Sequence, residues 1–262
     1  MLTIKTLLLA AAIYPFIADA QNLVKNGNAE SGEGMWSNVQ IAVGKCYKTL
    51  AVSSISSELI PVDNSKVYVL SGMFKSADAK KTNIYFGLVP FDTNGDQIAP
   101  ESVNAVDKTE TELAVACSPG DTVIKIKDGS NWKIAKKNDL IAFDVDDSGK
   151  YRDLPNNNFA GSVINAENKD GAWELTLDKP CGKTYPAGTK VRQHKSGSSY
   201  MYIVYKGQFQ SNEWANLSGT VKDARNYGAG QFWPRTKAVK VVILAMGGGQ
   251  IYFDDIKLEE NK

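Results

Sequence analysis

From Asn22 to Glu259 the chain is a succession of short apolar runs parted by turn residues, and no stretch in that span shows convincing helical periodicity. Runs such as Lys66–Lys75, which contains VYVLSGMFK, and Asn83–Phe91, NIYFGLVPF, have the length and aromatic content of strands. Asp92-Thr93-Asn94-Gly95-Asp96 after the second supplies the positive φ of a tight turn. The closing stretch Lys240–Glu259, KVVILAMGGGQIYFDDIKLE, predicts a hairpin whose arms, Val241–Ala245 and Ile251–Phe253, flank Gly247-Gly248-Gly249. Its second arm carries Asp254-Asp255. Ionised carboxylates are costly inside a strand, so the pair calls for a cation or a hydrogen-bonded corner.

Two textures alternate. Asn22–Lys108 and Ser199–Glu260 hold the long aromatic strands, including Ser199–Phe209, SYMYIVYKGQF. Between them, Thr111–Ala116, Thr122–Lys127, Asp139–Val145, Ser162–Ala166, Trp173–Leu177 and Lys190–His194 are shorter and closely spaced. The division predicted is a discontinuous sandwich, 21–108 and 197–262, interrupted by a small β-domain at 109–196. Ahead of it, Lys5, the apolar run Thr6–Ile17 and Ala18-Asp19-Ala20 read as a secretory signal peptide cleaved after Ala20, hence a secreted or periplasmic protein. The apolar run falls short of the roughly 20 residues a membrane span needs. Thirty basic against 29 acidic residues leave no electrostatic footprint for nucleic acid. Of three cysteines, Cys117 and Cys181 share the inserted domain and form the preferred disulfide pair; three buried free thiols is the alternative.

The flanks carry a further pattern. NLVKNGNAESGEGMW, VYVLSGMFK, EW with LSGTV, and IYFDDIKLE together resemble the galactose-binding-like jelly-roll β-sandwich, including carbohydrate-binding modules of families 4, 16 and 22. The resemblance implies an all-β jelly roll with a polysaccharide or glycan partner. It also implies a structural Ca2+ where the N-terminal segment meets the last strand, with Glu30 and Asp254 as acidic ligands and Asn28 nearby. Calcium takes several carboxylate and carbonyl oxygens together, which suits such a set. The inserted domain departs from the family pattern, and no activity attaches to it from the sequence; it is placed to overhang the sandwich and reshape, or block, the usual binding surface.

Catalysis finds little support. His194 is the sole histidine, and its place at a strand end predicts an exposed side chain. The acidic cluster of Asp144, Asp146 and Asp147 reads as a solvated loop rather than a glycosidase pair. A sugar platform needs exposed aromatics with a few polar groups. Tyr227 and Trp233, in the glycine-rich stretch before the closing strands, are the first candidates; Tyr85 and Tyr202 follow. Period-two alternation sets Tyr200 and Tyr202 on one face with Val204, and Tyr205 on the other. Trp36 and Trp214 fall in segments that the resemblance assigns to core packing. The expectation is a non-catalytic carbohydrate-binding protein; the alternative is a structural or adhesive surface protein that uses the sandwich and insert for protein contacts.

Overall fold

The computed structural model describes residues 21–30, 32, 35–135, 138–224 and 227–261. The expected signal segment at 1–20, and Glu33-Gly34 of the N-terminal motif, lie outside the described residues.

The first flank contributes β1 (Val39–Ala42), β2 (Cys46–Thr49), β3 (Ser53–Ile55), β4 (Ile60–Pro61), β5 (Tyr68–Ser76) and β6 (Thr82–Phe91), followed by a single helical turn, α1 (Pro100–Val103). The middle of the chain supplies β7 (Thr111–Glu112), β8 (Val123–Ile126), β9 (Asp139–Phe143), β10 (Phe159–Lys169), β11 (Ala172–Leu177) and β12 (Lys190–Lys195). The second flank adds β13 (Met201–Phe209), β14 (Ala215–Ala224), β15 (Gln231–Phe232), β16 (Ala238–Met246) and β17 (Ile251–Glu260). The fold is all-β, a β-sandwich with a third sheet set into it.

Sheet one runs β1-β2-β17-β5-β14-β15 and sheet two runs β13-β6-β16-β3, with β4 also paired to β16. Alternation along the long strands explains how they stack. Every second residue of β5, from Tyr68 to Ser76, is buried, and in β6 the inward set is Ile84, Phe86 and Leu88. These side chains meet Phe253, Val241, Ile243 and Tyr47 in one apolar core between the sheets. Burial of that kind is the main favourable term in folding, at about 25 cal/mol per Å² of apolar surface.

The closing stretch is not a hairpin. β16 pairs with β6, β3 and β4, whereas β17 pairs with β2 and β5, so Gly247–Gly249 carries the chain from one sheet to the other. Two inward-facing strands separated by glycines read alike whether they pair or arch between sheets. The arch needs its glycines: Gly247 and Gly248 have φ of 104° and 86°, and a Cβ on Gly249 would stand 2.0 Å from Thr82 Oγ1.

The Asp254-Asp255 pair also gains its reason. The inward residues of β17 are Ile251 and Phe253, then Ile256 and Leu258, so the parity changes across a bulge between Asp254 and Lys257. Both aspartates therefore escape the core, and Asp255 takes φ 48°, a left-handed conformation that Asp tolerates better than most residues. The N-terminal segment docks on this irregularity. Ile256 N–H donates to Gly27 O at 3.0 Å, Leu23 N–H to Leu258 O at 2.9 Å, and Leu258 N–H to Asn22 Oδ1 at 3.1 Å. Approach is so close that a Cβ on Gly27 would lie 2.1 Å from Ile256 O. This is the hydrogen-bonded corner expected as one alternative.

The third sheet, β7-β12-β9-β10-β11-β8, lies wholly between Thr111 and Lys195. Its two edges meet: Lys127 N–H donates to Glu112 O and Ala114 N–H to Lys125 O, while Leu113 bridges Ile126. The sheet thus closes into a small barrel filled by its own side chains, among them Phe143, Ile126, Leu175 and Trp132. The tight connection between β10 and β11 is Asp170-Gly171, with φ of 53° and 85°, the conformation of a two-residue hairpin turn. Cys117 and Cys181 are free thiols in this core rather than the preferred disulfide; Cys117 Sγ donates to Ser118 O, and burial followed by the neighbouring thiol pushes Cys117 up to about 12. Cys46 is also free and buried.

The barrel joins the sandwich through α1 and β12. Lys195 N–H donates to Asn104 O, Val106 N–H to Gln193 O, and Asn156 N–H to Ser102 O. His194 sits in this joint and is 0% exposed, contrary to the exposed strand end expected of it. Strand position alone does not reveal that a helical turn from another part of the chain will cover the residue. Arg192, also fully buried, donates from Nη2 to Asp153 Oδ2 at 2.7 Å and from Nε to His194 Nε2 at 3.2 Å. Because Nε2 accepts, Nδ1 carries the proton and donates to Glu101 O at 2.7 Å. Burial first, and Arg192 besides, depress the histidine from 6.5 to about 4.

Candidate functional site: a tyrosine surface on sheet two

On the side of sheet two away from the core, β6 presents Tyr85, Val89 and Phe91, and β16 presents Val242 and Leu244. Tyr85 stands opposite Tyr205 of β13 and Leu244 of β16; Gly87 stands opposite Tyr202 and Val242. The rings of Tyr85 and Tyr202 are 5.1 Å apart, those of Tyr85 and Tyr205 4.8 Å, and those of Tyr200 and Tyr202 6.1 Å, all tilted or edge-on. Such arrangements are favourable for aromatic pairs. Val242 and Val89 are buried beneath this outer layer although they point away from the sandwich core.

Tyr205 belongs to this surface, against the alternation expected of it. A bulge between Tyr202 and Val204 shifts the parity of β13, so Tyr205 returns to the side of Tyr202, and it is 59% exposed. The bulge crosses Gly87, where a Cβ would lie 2.1 Å from Met201 O. An uninterrupted period of two is the one assumption that hid this residue.

Tyr227 and Trp233 form the adjoining part, with ring centroids 5.3 Å apart. A cleft of about 90 Å³ connects them to Tyr200 and Tyr202, with Met201 and Gly228 also lining it. The expected binding residues Tyr227, Trp233, Tyr85 and Tyr202 therefore lie on one continuous surface. Their exposures differ from expectation. Trp233 is only 1% exposed and forms a floor, so it offers no free face for stacking, whereas Tyr85, Tyr202 and Tyr227 are half-buried. The loop is held in place: Tyr227 N–H donates to Val103 O, Ser198 N–H to the Tyr227 hydroxyl at 3.1 Å, and Gly230 N–H to Tyr202 O. Burial raises the Tyr202 phenol above its ordinary value, so its hydroxyl is protonated and a neutral hydrogen-bonding group at neutral pH. Among the described residues no acidic side chain lines the cleft; the surface offers ring faces and hydroxyls.

The expected calcium residues stand elsewhere, at the clasp between the chain's two ends. Glu30 Oε2 accepts from Lys45 Nζ at 2.7 Å in an exposed ion pair, and Asn28 Oδ1 accepts from Glu30 N–H at 3.3 Å. Burial, and then the charges of Asp255 and Glu30, raise the Asp254 carboxyl, although its hydrogen bond from Asp255 N–H opposes this. Glu30 and Asp254 act on each other as like charges, with Glu30 also paired to Lys45. Among the described residues, however, no group of three or more Asp, Glu, His or Cys side chains converges as a metal site. A cation here would depend on amide and carbonyl oxygens to complete its shell.

Away from both places, the loop acids are internally satisfied. Asp146 accepts from Ser148 N–H and Arg152 N–H and is held at about 2, chiefly by Ser148; Asp144 accepts from Asn158. Trp36 is core, packed 5.0 Å from Phe253, but Trp214 is not: it is 39% exposed on the outside of sheet one. It precedes β14 and projects on the side opposite to Leu217, a face that segment-level resemblance does not specify.

No protein-family model matches the sequence, and the search of curated proteins returned no match. Among solved structures the chain is similar to a candidate sugar binding protein from Bacteroides thetaiotaomicron, at 14% identity over 92% of this chain and 100% of that one, with a TM-score of 0.26. A likeness that distant carries no weight for fold or function. Among the described residues no helix is long and apolar enough to cross a membrane.

Proposed function

We propose that this chain is a secreted, non-catalytic carbohydrate-binding protein of the jelly-roll type, and that it holds a glycan on the outer face of sheet two. The observation that carries the reading is the tyrosine surface itself. Three tyrosines from two neighbouring strands gather outside the core with Tyr200 just ahead of β13, one of them 59% exposed, and Tyr227 extends the row. Ring faces cover the apolar C–H face of a pyranose, and phenolic hydroxyls meet its hydroxyls, which is the mix of apolar lining and few polar groups typical of small-ligand sites. Contiguous apolar surface kept outside a core marks an interaction site more often than chance. The absence of acidic side chains from the cleft suits a neutral glycan and leaves no pair for glycoside hydrolysis there.

Affinity electrophoresis through gels containing neutral plant and algal polysaccharides tests this. Retardation of the wild type, lost in Tyr202→Ala at unchanged melting temperature, is the expected result. No retardation in any gel, together with a stable oligomer by light scattering, would favour the adhesive reading instead.

Calcium forms part of the same proposal. Glu30 and Asp254, with the Asn28 amide, would hold it, and bound calcium would supply positive charge that offsets their repulsion and ties the first turn to β17. The expected readout is thermal. A ligand that binds only the folded state at 100 times its Kd adds about 2.7 kcal/mol, so chelator should lower the melting temperature and calcium restore it. A melting curve indifferent to both removes calcium from the account.

A further inference from the structure

Sheet one also has an outward face, and its side chains differ from those of sheet two. Pairing sets Lys48 opposite Tyr252, Tyr252 opposite Lys75, and Phe74 opposite Ala215, which brings Trp214 beside Lys75. The β1–β2 turn rises at one side, with Val43 fully exposed at its tip. Between these lies a groove of about 270 Å³ lined by Val43, Gly44, Cys46, Lys75, Trp214 and Tyr252. That is just below the roughly 300–1,000 Å³ of drug-sized pockets and nearer the scale of one sugar ring. Two aromatic rings line it, one of them with 39% of its surface free.

Its charge separates it from the tyrosine surface. Lys75 is the sole charged residue of the lining, and among the described residues it has no ion pair. Lys48 stands across Tyr252 from Lys75, on β2, where its charge acts on Asp78. Asp254 lies in the adjoining row, opposite Met73, and is not part of the lining. The buried Cys46 thiol on the groove floor is raised by desolvation first and then by Asp254, with Lys75 opposing, so both charges act there and Lys75 is the one that lines the groove. An exposed indole beside a free ammonium suits a sugar ring that carries a carboxylate: the ring stacks and the anion meets the cation.

We infer that this groove is a second saccharide site, distinct from the tyrosine surface, and that it takes a uronic-acid residue of an anionic glycan. The probe pair is polygalacturonate and its methyl-esterified form, which differ in charge while sharing a backbone. Affinity electrophoresis of the full chain at low ionic strength should show retardation by polygalacturonate, weaker retardation by the ester, and loss of the difference in 0.5 M salt, roughly two Debye regimes away from low-salt conditions. Trp214→Ala should weaken polygalacturonate retention at least tenfold, and Lys75→Gln should abolish the preference for acid over ester. Trp214 and Lys75 are on the surface, and matched melting temperatures confirm folding of the variants. Equal retention of acid and ester by the wild type, or an unchanged Trp214→Ala, would each overturn the inference. Because neutral-glycan retention is read in separate gels, failure here leaves the tyrosine surface untested by that result and failure there leaves this one standing.

Discussion

The sandwich and the barrel inserted in it dispose of their outward polar and apolar groups in opposite ways. On the barrel, several outward charges form a paired network: Glu112 with Lys127 at 2.5 Å and Lys190 at 2.6 Å, Lys190 with Asp147 at 2.8 Å, and Glu174 with Lys125 at 3.1 Å and Lys169 at 3.3 Å. Its buried Arg192 is paired as well. The outer side of sheet two instead collects tyrosines over Val242 and Val89, a layer that no stability argument requires outside a core already complete. A unit whose polar groups satisfy one another is built to persist. A unit that leaves aromatic rings in water is built to meet something. That difference supports the proposal that a ligand is held on the sandwich.

The sharpest way to break the comparison is to damage the barrel where it joins the sandwich. Arg192→Met removes one partner from a buried pair, leaving Asp153 and the acceptor Nε2 of His194 uncompensated. Losing one member of such a pair costs about 3–5 kcal/mol, so the denaturant midpoint should fall steeply. Glycan retention by the surviving folded fraction should persist, since the tyrosines are anchored on β6 and β13. Retention lost in proportion more than folding would mean that the barrel takes part in binding.

Acid should reach the same joint by another route. The folded histidine titrates at about 4 against 6.5 unfolded. Between those values the unfolded chain holds the extra proton, so stability rises with pH across that window and is lost as pH falls from 6.5 toward 4. The shift corresponds to roughly 3 kcal/mol at 1.36 kcal/mol per pH unit. Protonation would set His194 against Arg192, with Asp153 the facing acid and the Glu101 carbonyl the group already bonded. Denaturation midpoints at pH 7 and pH 4 should differ in the wild type and draw together in His194→Gln. An undiminished pH slope in that variant would place the acid sensitivity elsewhere.

At the small end stands Glu112→Gln. Lys127 first, and Lys190 with it, hold the Glu112 carboxyl at about 2, yet the pairs are exposed to solvent. Exposed pairs gain little against screening and side-chain entropy. Thermal melts of the variant and wild type should overlay, and a clear drop would show that the barrel's surface pairs act as a network.

Much of this architecture was legible from residue order. The strand character of β5 and β6 and their alternation follow from local chemistry that the sequence displays directly. The misreadings share one physical origin, namely partners distant in sequence. Gly247–Gly249 connects strands whether they pair or cross between sheets, and only their neighbours β5 and β6 decide which. Tyr205 and Asp255 were misplaced or unexplained because a bulge adds one residue to a strand, and the need for it lies on the opposing chain, at Gly87 and at Gly27. His194 and Trp233 are buried, and Trp214 exposed, by contacts that no local pattern encodes. The candidate binding residues were nonetheless found together, since aromatic density is itself visible in a sequence.

The central claim is that the tyrosine surface of sheet two holds a glycan. Calorimetric titration of the polysaccharide that retards the wild type most strongly, repeated on Tyr85→Ala and Tyr205→Ala, tests it most directly. The account predicts about a tenfold loss of affinity in each variant, some 1.4 kcal/mol, with melting temperature changing least for the exposed Tyr205. Affinity unchanged in both variants, with binding intact, would contradict it.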